Sequence, residues 1–397
     1  MPQKHQDTRL HKSKKSKVLY FVILSVFETW WQDMNFSKRV QPIKIKTGKI
    51  LFIVALISFV ACNQNKNTSQ KSMIETEQQE GKLQSEGDLL MGVSKAISYS
   101  GFRSGQHPDR GDGAKNPSYE QTLEDLKILS EEAGFKLIRI YDSRENSELV
   151  LKVIKENNLD IKVLLGIWLD AELSNHETCA WLTEPIPEEE LQQNKKLNLI
   201  EIERGIKLAN EYKDIVVAVN VGNEALVEWN DHKVATNTII AYVLKVKEAI
   251  EQEVTVADNY KWWADHGIEL AKAVDFISIH VYPVWEGKDI NEGLSYSIEN
   301  VMEVRNALPE ARIVISEAGW PSVASEFPER VNEEKQQQYY NEFLAWSKEN
   351  NITTFIFEAF DEDWKGNPGN MEGAEKHWGL YTVDRKPKKV MQHLYAE

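Results

Sequence analysis

Eight short apolar runs, each followed by a longer segment, dominate the chain from residue 89 onward. The runs are 90–94, 137–141, 161–167, 215–221, 254–257, 276–280, 312–316 and 353–357. Between them lie stretches with helical patterning: 119–133, 148–157, 197–212, 234–251, 267–273, 291–308 and 332–349, with a last helix after Pro387. The first opens on Ser118 and stops at Gly134, an N-cap and a C-terminal breaker. Runs that are apolar throughout, rather than alternating, suit parallel strands covered on both faces. Eight strand–helix units in about 300 residues predict a single (β/α)8 TIM barrel over residues 88–397. An open doubly wound sheet usually carries a glycine-rich phosphate loop after its first strand. Here 90–94 is followed by a long loop, 95–117, without a G-x-G-x-x-G pattern.

The segment before the barrel reads differently. Residues 1–61 hold 11 Lys/Arg against 3 Asp/Glu, although the whole chain has a net charge of −15. Arg39, Lys44, Lys46 and Lys49 precede an apolar stretch, 50–60, that is short for a membrane span but suits the core of a signal peptide. It ends in Phe59-Val60-Ala61-Cys62, which resembles a bacterial lipoprotein signal with Cys62 as the lipidated residue. Phe59 stands where such signals usually carry an aliphatic residue. An ordinary signal peptide or a short anchor helix are the alternatives. Residues 1–33 sit awkwardly ahead of this signal, and Met34 is a candidate true start. Residues 62–87 are polar, with few large apolar side chains, and read as a flexible tether. The expected location is outside the cytoplasm, lipid-anchored to a bacterial membrane, facing the periplasm or the surface. The other cysteine, Cys179, would then be an unpaired, buried thiol.

In a barrel the C-terminal strand ends form the active face. Two carboxylates stand there, Glu224 after the fourth run and Glu317 after the seventh. Taken alone, Glu317 is equally well a solvated strand-end acid. Two glutamates on one rim are what glycosidic cleavage needs: one carboxyl protonates the departing oxygen and the other attacks or stabilises the oxocarbenium-like carbon. The acid must hold a proton near neutral pH, so the pKa of Glu224 is expected to be raised by burial or by the charge of Glu317. Asn223, one residue before it, is placed to bond the 2-hydroxyl of a sugar. An acidic body disfavours nucleic acid.

At this point the chain resembles glycoside hydrolase family 17, the β-1,3-glucanase family. The resemblance rests on Gly92-Val93-Ser94, Arg139-Ile140-Tyr141-Asp142, Leu165-Gly166-Ile167-Trp168, Val221-Gly222-Asn223-Glu224, Ser316-Glu317-Ala318-Gly319-Trp320-Pro321-Ser322, Phe360-Asp361-Glu362-Asp363-Trp364-Lys365 and Lys376-His377-Trp378-Gly379-Leu380-Tyr381. It implies Glu224 as acid/base, Glu317 as nucleophile, Glu362 and Lys365 as a supporting pair, and Tyr141 and Tyr282 as cleft aromatics. It also implies retaining endo-cleavage of β-1,3-glucan without metal or cofactor. Ala318 replaces the Ser or Thr of many members, and the 95–117 loop is longer than in compact ones.

Trp320, Trp168 and Phe360 are further candidates for sugar contact, with Trp181, Trp262, Trp263, Trp285 and Trp378 beside them. Each is equally a core aromatic. Glu362 and Lys365 are alternatively a plain surface ion pair. His280 lacks a second His or Cys at ligand spacing and reads as a structural hydrogen-bonding residue. The expected partners are a β-glucan substrate and a membrane, with the protein a monomer. The rival functions are a transglycosylase using the same glutamates and a non-catalytic glucan-binding lipoprotein.

Overall fold

The computed structural model describes residues 84–85, 89–90, 95–109, 113–180 and 182–395. Eight strands close into a barrel in sequence order: β1 Lys95–Ser98, β2 Leu137–Arg139, β3 Lys162–Ile167, β4 Val216–Asn223, β5 Glu253–Asn259, β6 Ile277–Val281, β7 Ile313–Ala318 and β8 Thr354–Ile356. Every neighbouring pair is parallel, and β8 returns to β1 through Ala96 opposite Phe355. The helices are α1 Tyr119–Lys127, α2 Glu145–Asn157, α3 Glu188–Glu211, α4 Thr236–Ala249, α5 Tyr260–His266, α6 Ile268–Ala271, α7 Ile290–Ala307, α8 Glu333–Glu349 and α9 Lys389–Gln392.

The apolar runs are explained by two separate cores. Leu137, Leu164, Val217, Phe276, Val314 and Phe355 meet inside the barrel. Their strand neighbours, such as Val163, Leu165, Ile313 and Ile315, face outward into the layer shared with the helices. Both strand faces are buried, so alternation disappears.

Three boundaries differ from the sequence reading. The first strand is Lys95–Ser98, within the span expected to be loop. It carries only two apolar residues, because Lys95 extends its ammonium to the Ala133 carbonyl and over the Phe135 ring. Residues 91–94 of the expected strand lie outside the described residues, and Leu90 plugs the inner core instead. Helix α3 begins at Glu188, earlier than the expected 197. Pro187 precedes it, and three glutamates fill its first turn, where the helix dipole favours them; those acids hid the helix from an apolar pattern. The expected helix at 267–273 is the shorter α6, preceded by α5, which the pattern did not mark. Ser118 closes a capping box with Gln121 at the start of α1, as anticipated.

Gln84, assigned to the tether by composition, is buried. Its side chain bonds both the N–H and C=O of Ile313 and the Asn351 carbonyl. Cys62 lies outside the described residues. Among those residues, no helix is long and apolar enough to cross a membrane.

Candidate active site

The strands lose regular register where the site begins. Irregularities fall between Asn220 and Asn223 on β4, between Ile279 and His280 on β6, and between Ile315 and Ala318 on β7. Such bulges re-aim side chains. At the end of β4, Gly222 has φ of +86° and Glu224 has φ of +47°. Left-handed backbone at a non-glycine residue costs energy and clusters at functional sites. Here it turns Glu224 into the barrel mouth.

Glu317 is buried at the end of β7. Its Oε1 accepts from Arg139 Nη1 at 2.7 Å and from the Tyr141 hydroxyl at 3.0 Å. Its Oε2 accepts from the Tyr282 hydroxyl at 2.6 Å. Burial, followed by the Glu317 charge, pushes both tyrosines well above their ordinary pKa, so they remain donors. Arg139 is fully buried inside the barrel, and its other nitrogen bonds Asn223 Oδ1. One guanidinium therefore orients both the nucleophile candidate and the amide beside the acid.

His280 connects the two carboxylates. Its Nδ1 lies 2.8 Å from Glu224 Oε1 and 3.5 Å from Glu317 Oε2, and its Nε2 lies 3.2 Å from Arg139 Nη1. A guanidinium can only donate, so Nε2 accepts, and the proton resides on Nδ1, pointing at Glu224. Glu224, His280 and Glu317 each offer an atom within 4.8 Å of the others. That grouping resembles a metal triad, but both histidine nitrogens and both Glu317 oxygens already serve hydrogen bonds.

Glu224 Oε2 accepts from Asn230 Nδ2 at 3.0 Å. Burial pushes the Glu224 carboxyl up, but the bonds from His280 and Asn230 and the positive sides of His280 and His232 outweigh it. The net direction is downward. This corrects the expectation of a raised pKa: two donors aimed at the carboxylate favour its charged form. His232 bonds the Asn223 carbonyl at 2.8 Å and packs at a tilt of 35° against Trp168, ring centroids 4.7 Å apart. Trp168 is half-buried on the rim, as a sugar platform requires.

Glu362 is buried and Lys365 half-buried, so they are not a plain surface pair, and they stand 3.1 Å apart. Lys365 also pairs with Glu358. Burial pushes Glu358 well above the usual carboxylate range despite that ammonium, with Glu362 reinforcing it. Glu362 Oε1 accepts from Ser100 Oγ at 2.6 Å and from the Phe102 N–H at 3.1 Å, which fixes the loop after β1. Glu375, next to this pair, is pushed up to about 7, mainly by burial, with Lys365 opposing and the Glu224 and Glu317 charges adding.

Three aromatic assignments are corrected. Trp320 is buried, bonds the Arg330 carbonyl at 3.0 Å and packs on Tyr339 of α8. Phe360 is buried among Tyr99, Tyr381 and the Arg385 guanidinium. Trp263 is a core residue of α5, bonded to the Ser278 carbonyl. Trp378 is buried beneath Tyr282, and Trp285 sits half-buried beside it. Trp262, half-buried on α5, packs edge-on against Trp263. Trp181 lies outside the described residues. Cys179 is buried and bonds the Trp229 carbonyl. Sequence reasoning assigned no role to Arg139, Asn230, His232 and Glu375. Arg139 carried a signal, a charge inside an apolar strand, whereas the others sit on loops whose course no pattern reveals.

Residues 96–379 match the family described as the BtgE/BtgC glycoside hydrolase domain. The chain is 26% identical over 327 residues to a glucan 1,3-beta-glucosidase of Arthroderma benhamiae, covering 76% of this chain and 94% of that protein. It is 27% identical over 302 residues to a probable glucan endo-1,3-beta-glucosidase, btgC, of Aspergillus flavus, covering 68% of this chain but 40% of that longer protein. Among solved structures, an endo-laminarinase from Formosa Hel1_33_131 superimposes with a TM-score of 0.65 at 29% identity, over 76% of this chain and 86% of that one. A glycoside hydrolase family 17 beta-1,3-glucanosyltransferase from Rhizomucor miehei shares the fold, with a TM-score of 0.57 at 22% identity, over 77% and 97%.

Proposed function

The chain belongs to the BtgE/BtgC glycoside hydrolase family, and from that premise we propose that it cleaves β-1,3-glucosidic bonds within β-glucan with retention of configuration. The observation that carries this reading is the pair Glu224 and Glu317, with facing oxygens within 4.8 Å. Retaining pairs stand about 5–5.5 Å apart, and inverting pairs need about 6.5–9.5 Å to admit a water. Glu317 attacks the anomeric carbon while Glu224 protonates the departing oxygen. Water then attacks the glycosyl-enzyme, giving its proton to Glu224 as the bond to Glu317 breaks. Arg139, Tyr141 and Tyr282 hold the Glu317 charge and aim it. Arg139 engages the Asn223 oxygen, which leaves the Asn223 Nδ2 to meet a sugar hydroxyl.

Without substrate, Glu224 is kept as a carboxylate. A glucan chain covering the cleft excludes water and raises its pKa, so the proton is acquired on binding. Glu317→Gln is expected to keep the fold and lose at least about a thousandfold in reducing-sugar release from linear β-1,3-glucan. Wild-type rates in that variant exclude Glu317 as nucleophile. Proton NMR of the first product should show the β-anomer; an α-anomer contradicts retention.

The endo mode is supported by the likeness to the probable glucan endo-1,3-beta-glucosidase and the endo-laminarinase, and is read from the size distribution of early products. Export and lipidation at Cys62 are part of the same proposal, supported by the basic segment, the apolar stretch 50–60 and Ala61 before the cysteine. Labelled palmitate should enter the wild-type chain but not Cys62→Ala. Equal labelling of both excludes Cys62 as the site.

A further inference from the structure

Trp229 lies on the loop between β4 and α4, and 48% of it is exposed. The loop beneath it is fixed. The Trp229 carbonyl accepts from Cys179 Sγ at 3.1 Å. The carbonyls on either side, of Glu228 and Asn230, accept from the buried Asn175 side chain at 2.7 and 2.9 Å. Asn230 in turn donates to Glu224 at 3.0 Å. A large apolar ring is thus presented to solvent from a backbone held on both sides, next to the acid/base. Rigid, exposed indoles are suited to stacking on flat sugar faces, since little ordering entropy is lost on binding.

The hydrogen bonds also say which flank it occupies. Glu224 Oε1 faces His280, whose Nδ1 is 3.5 Å from Glu317. Glu224 Oε2 faces Asn230. The Trp229 loop therefore lies on the side of Glu224 turned away from the nucleophile. In a retaining pair the nucleophile sits under the glycone sugar and the acid at the leaving oxygen, so that flank receives the aglycone. Trp168, packed against His232 of the same loop, lines it as well.

We infer that Trp229 is an acceptor-side platform that stacks on a glucose ring of the aglycone and sets how the glycosyl-enzyme divides between water and a glucan acceptor. The inference rests on Glu224 and Glu317 being a retaining pair. In the transfer step an acceptor hydroxyl oxygen bonds the anomeric carbon as the bond to Glu317 breaks. The electron pair returns to the Glu317 carboxylate, and the hydroxyl proton passes to Glu224. Stacking raises the local concentration of acceptor and favours this over hydrolysis.

The test uses the full chain, 2,4-dinitrophenyl β-laminaribioside as donor and laminaritriose as acceptor. The activated leaving group needs neither acid nor aglycone platform. Trp229→Ala should release dinitrophenolate from the donor alone within about twofold of wild type, while its transfer-to-hydrolysis ratio falls about tenfold. Trp229→Phe should keep most of the transfer. Wild-type transfer in Trp229→Ala overturns the platform. So does a parallel loss of dinitrophenolate release, which marks a structural role, and so does a wild-type enzyme that performs no transfer at any laminaritriose concentration. A wild-type chain inert toward both donor and glucan overturns the retaining-pair reading itself.

Discussion

Asn230 and His280 point their donors at the two oxygens of the Glu224 carboxylate, and this makes the titration of the proposed acid/base a property of the loop that carries Asn230. The alkaline limb of kcat/KM reports loss of the proton from the acid in free enzyme. Both donors favour the ionised form, so they lower that limb. Removing Asn230 leaves the protonated form relatively better off, and the limb should move upward. A hydrogen bond to a charged group contributes about 1.5–3 kcal/mol, which sets a shift of about one to two pH units for Asn230→Ala. A pH–rate profile on laminarin decides it; an unmoved or lowered alkaline limb contradicts the role. Arg139→Lys keeps the charge but cannot bridge Glu317 and Asn223 together. It should cost about a hundredfold or more in kcat, and near-normal kcat would show that the fork is dispensable. Glu224 and Glu317 were legible in the sequence because strand ends on a barrel rim are predictable. Trp320 and Phe360 were misread because adjacency in sequence says nothing of which way a side chain leaves a turning backbone.

Strand β7 shows what the motif around Glu317 requires beyond its acid. A side chain at Gly319 would put its Cβ 2.1 Å from the Phe357 carbonyl oxygen, so the β7 and β8 ends touch there through backbone alone. Gly319→Ala must separate them, which disturbs Glu317 and the Glu358–Lys365 pair together. The expected result is a loss of about 3 kcal/mol or more, as for other forced overpacking, with a kcat loss larger than the fall in folded fraction. Thermal denaturation beside initial rates measures both, and a variant with wild-type values for each refutes the close approach. The eight-strand pattern was readable because both strand faces are buried. Strand β1 and the start of α3 were not, since Lys95 and the glutamates 188–190 satisfy local polar demands that hydrophobic periodicity ignores.

Charge and the two opposite faces of the barrel organise the molecule as a unit. A neutral polymer gains nothing from the long-range field of an acidic body, so KM for laminarin should change less than about twofold between low and high salt; a steep dependence would point to a charged substrate. Gln84 meets the barrel at Ile313 and Asn351, where β7 and β8 begin, whereas the catalytic rim lies where the strands end. Gln84 therefore docks on the face opposite the cleft. Gln84 also serves as a plug, because its removal breaks the bonds it makes to the Ile313 N–H and to the Ile313 and Asn351 carbonyls. Leaving a buried backbone group unsatisfied costs about 1–3 kcal/mol. Gln84→Ala should lower Tm by several degrees, at roughly 2–4 °C per kcal/mol for a domain of this class. The kcat/KM on soluble laminarin should stay at the wild-type value, since the site lies at the other end of the strands. An unchanged Tm would show that residue 84 belongs functionally to the tether, and a fall in kcat/KM at a temperature where the variant is folded would show that the two faces of the barrel are coupled.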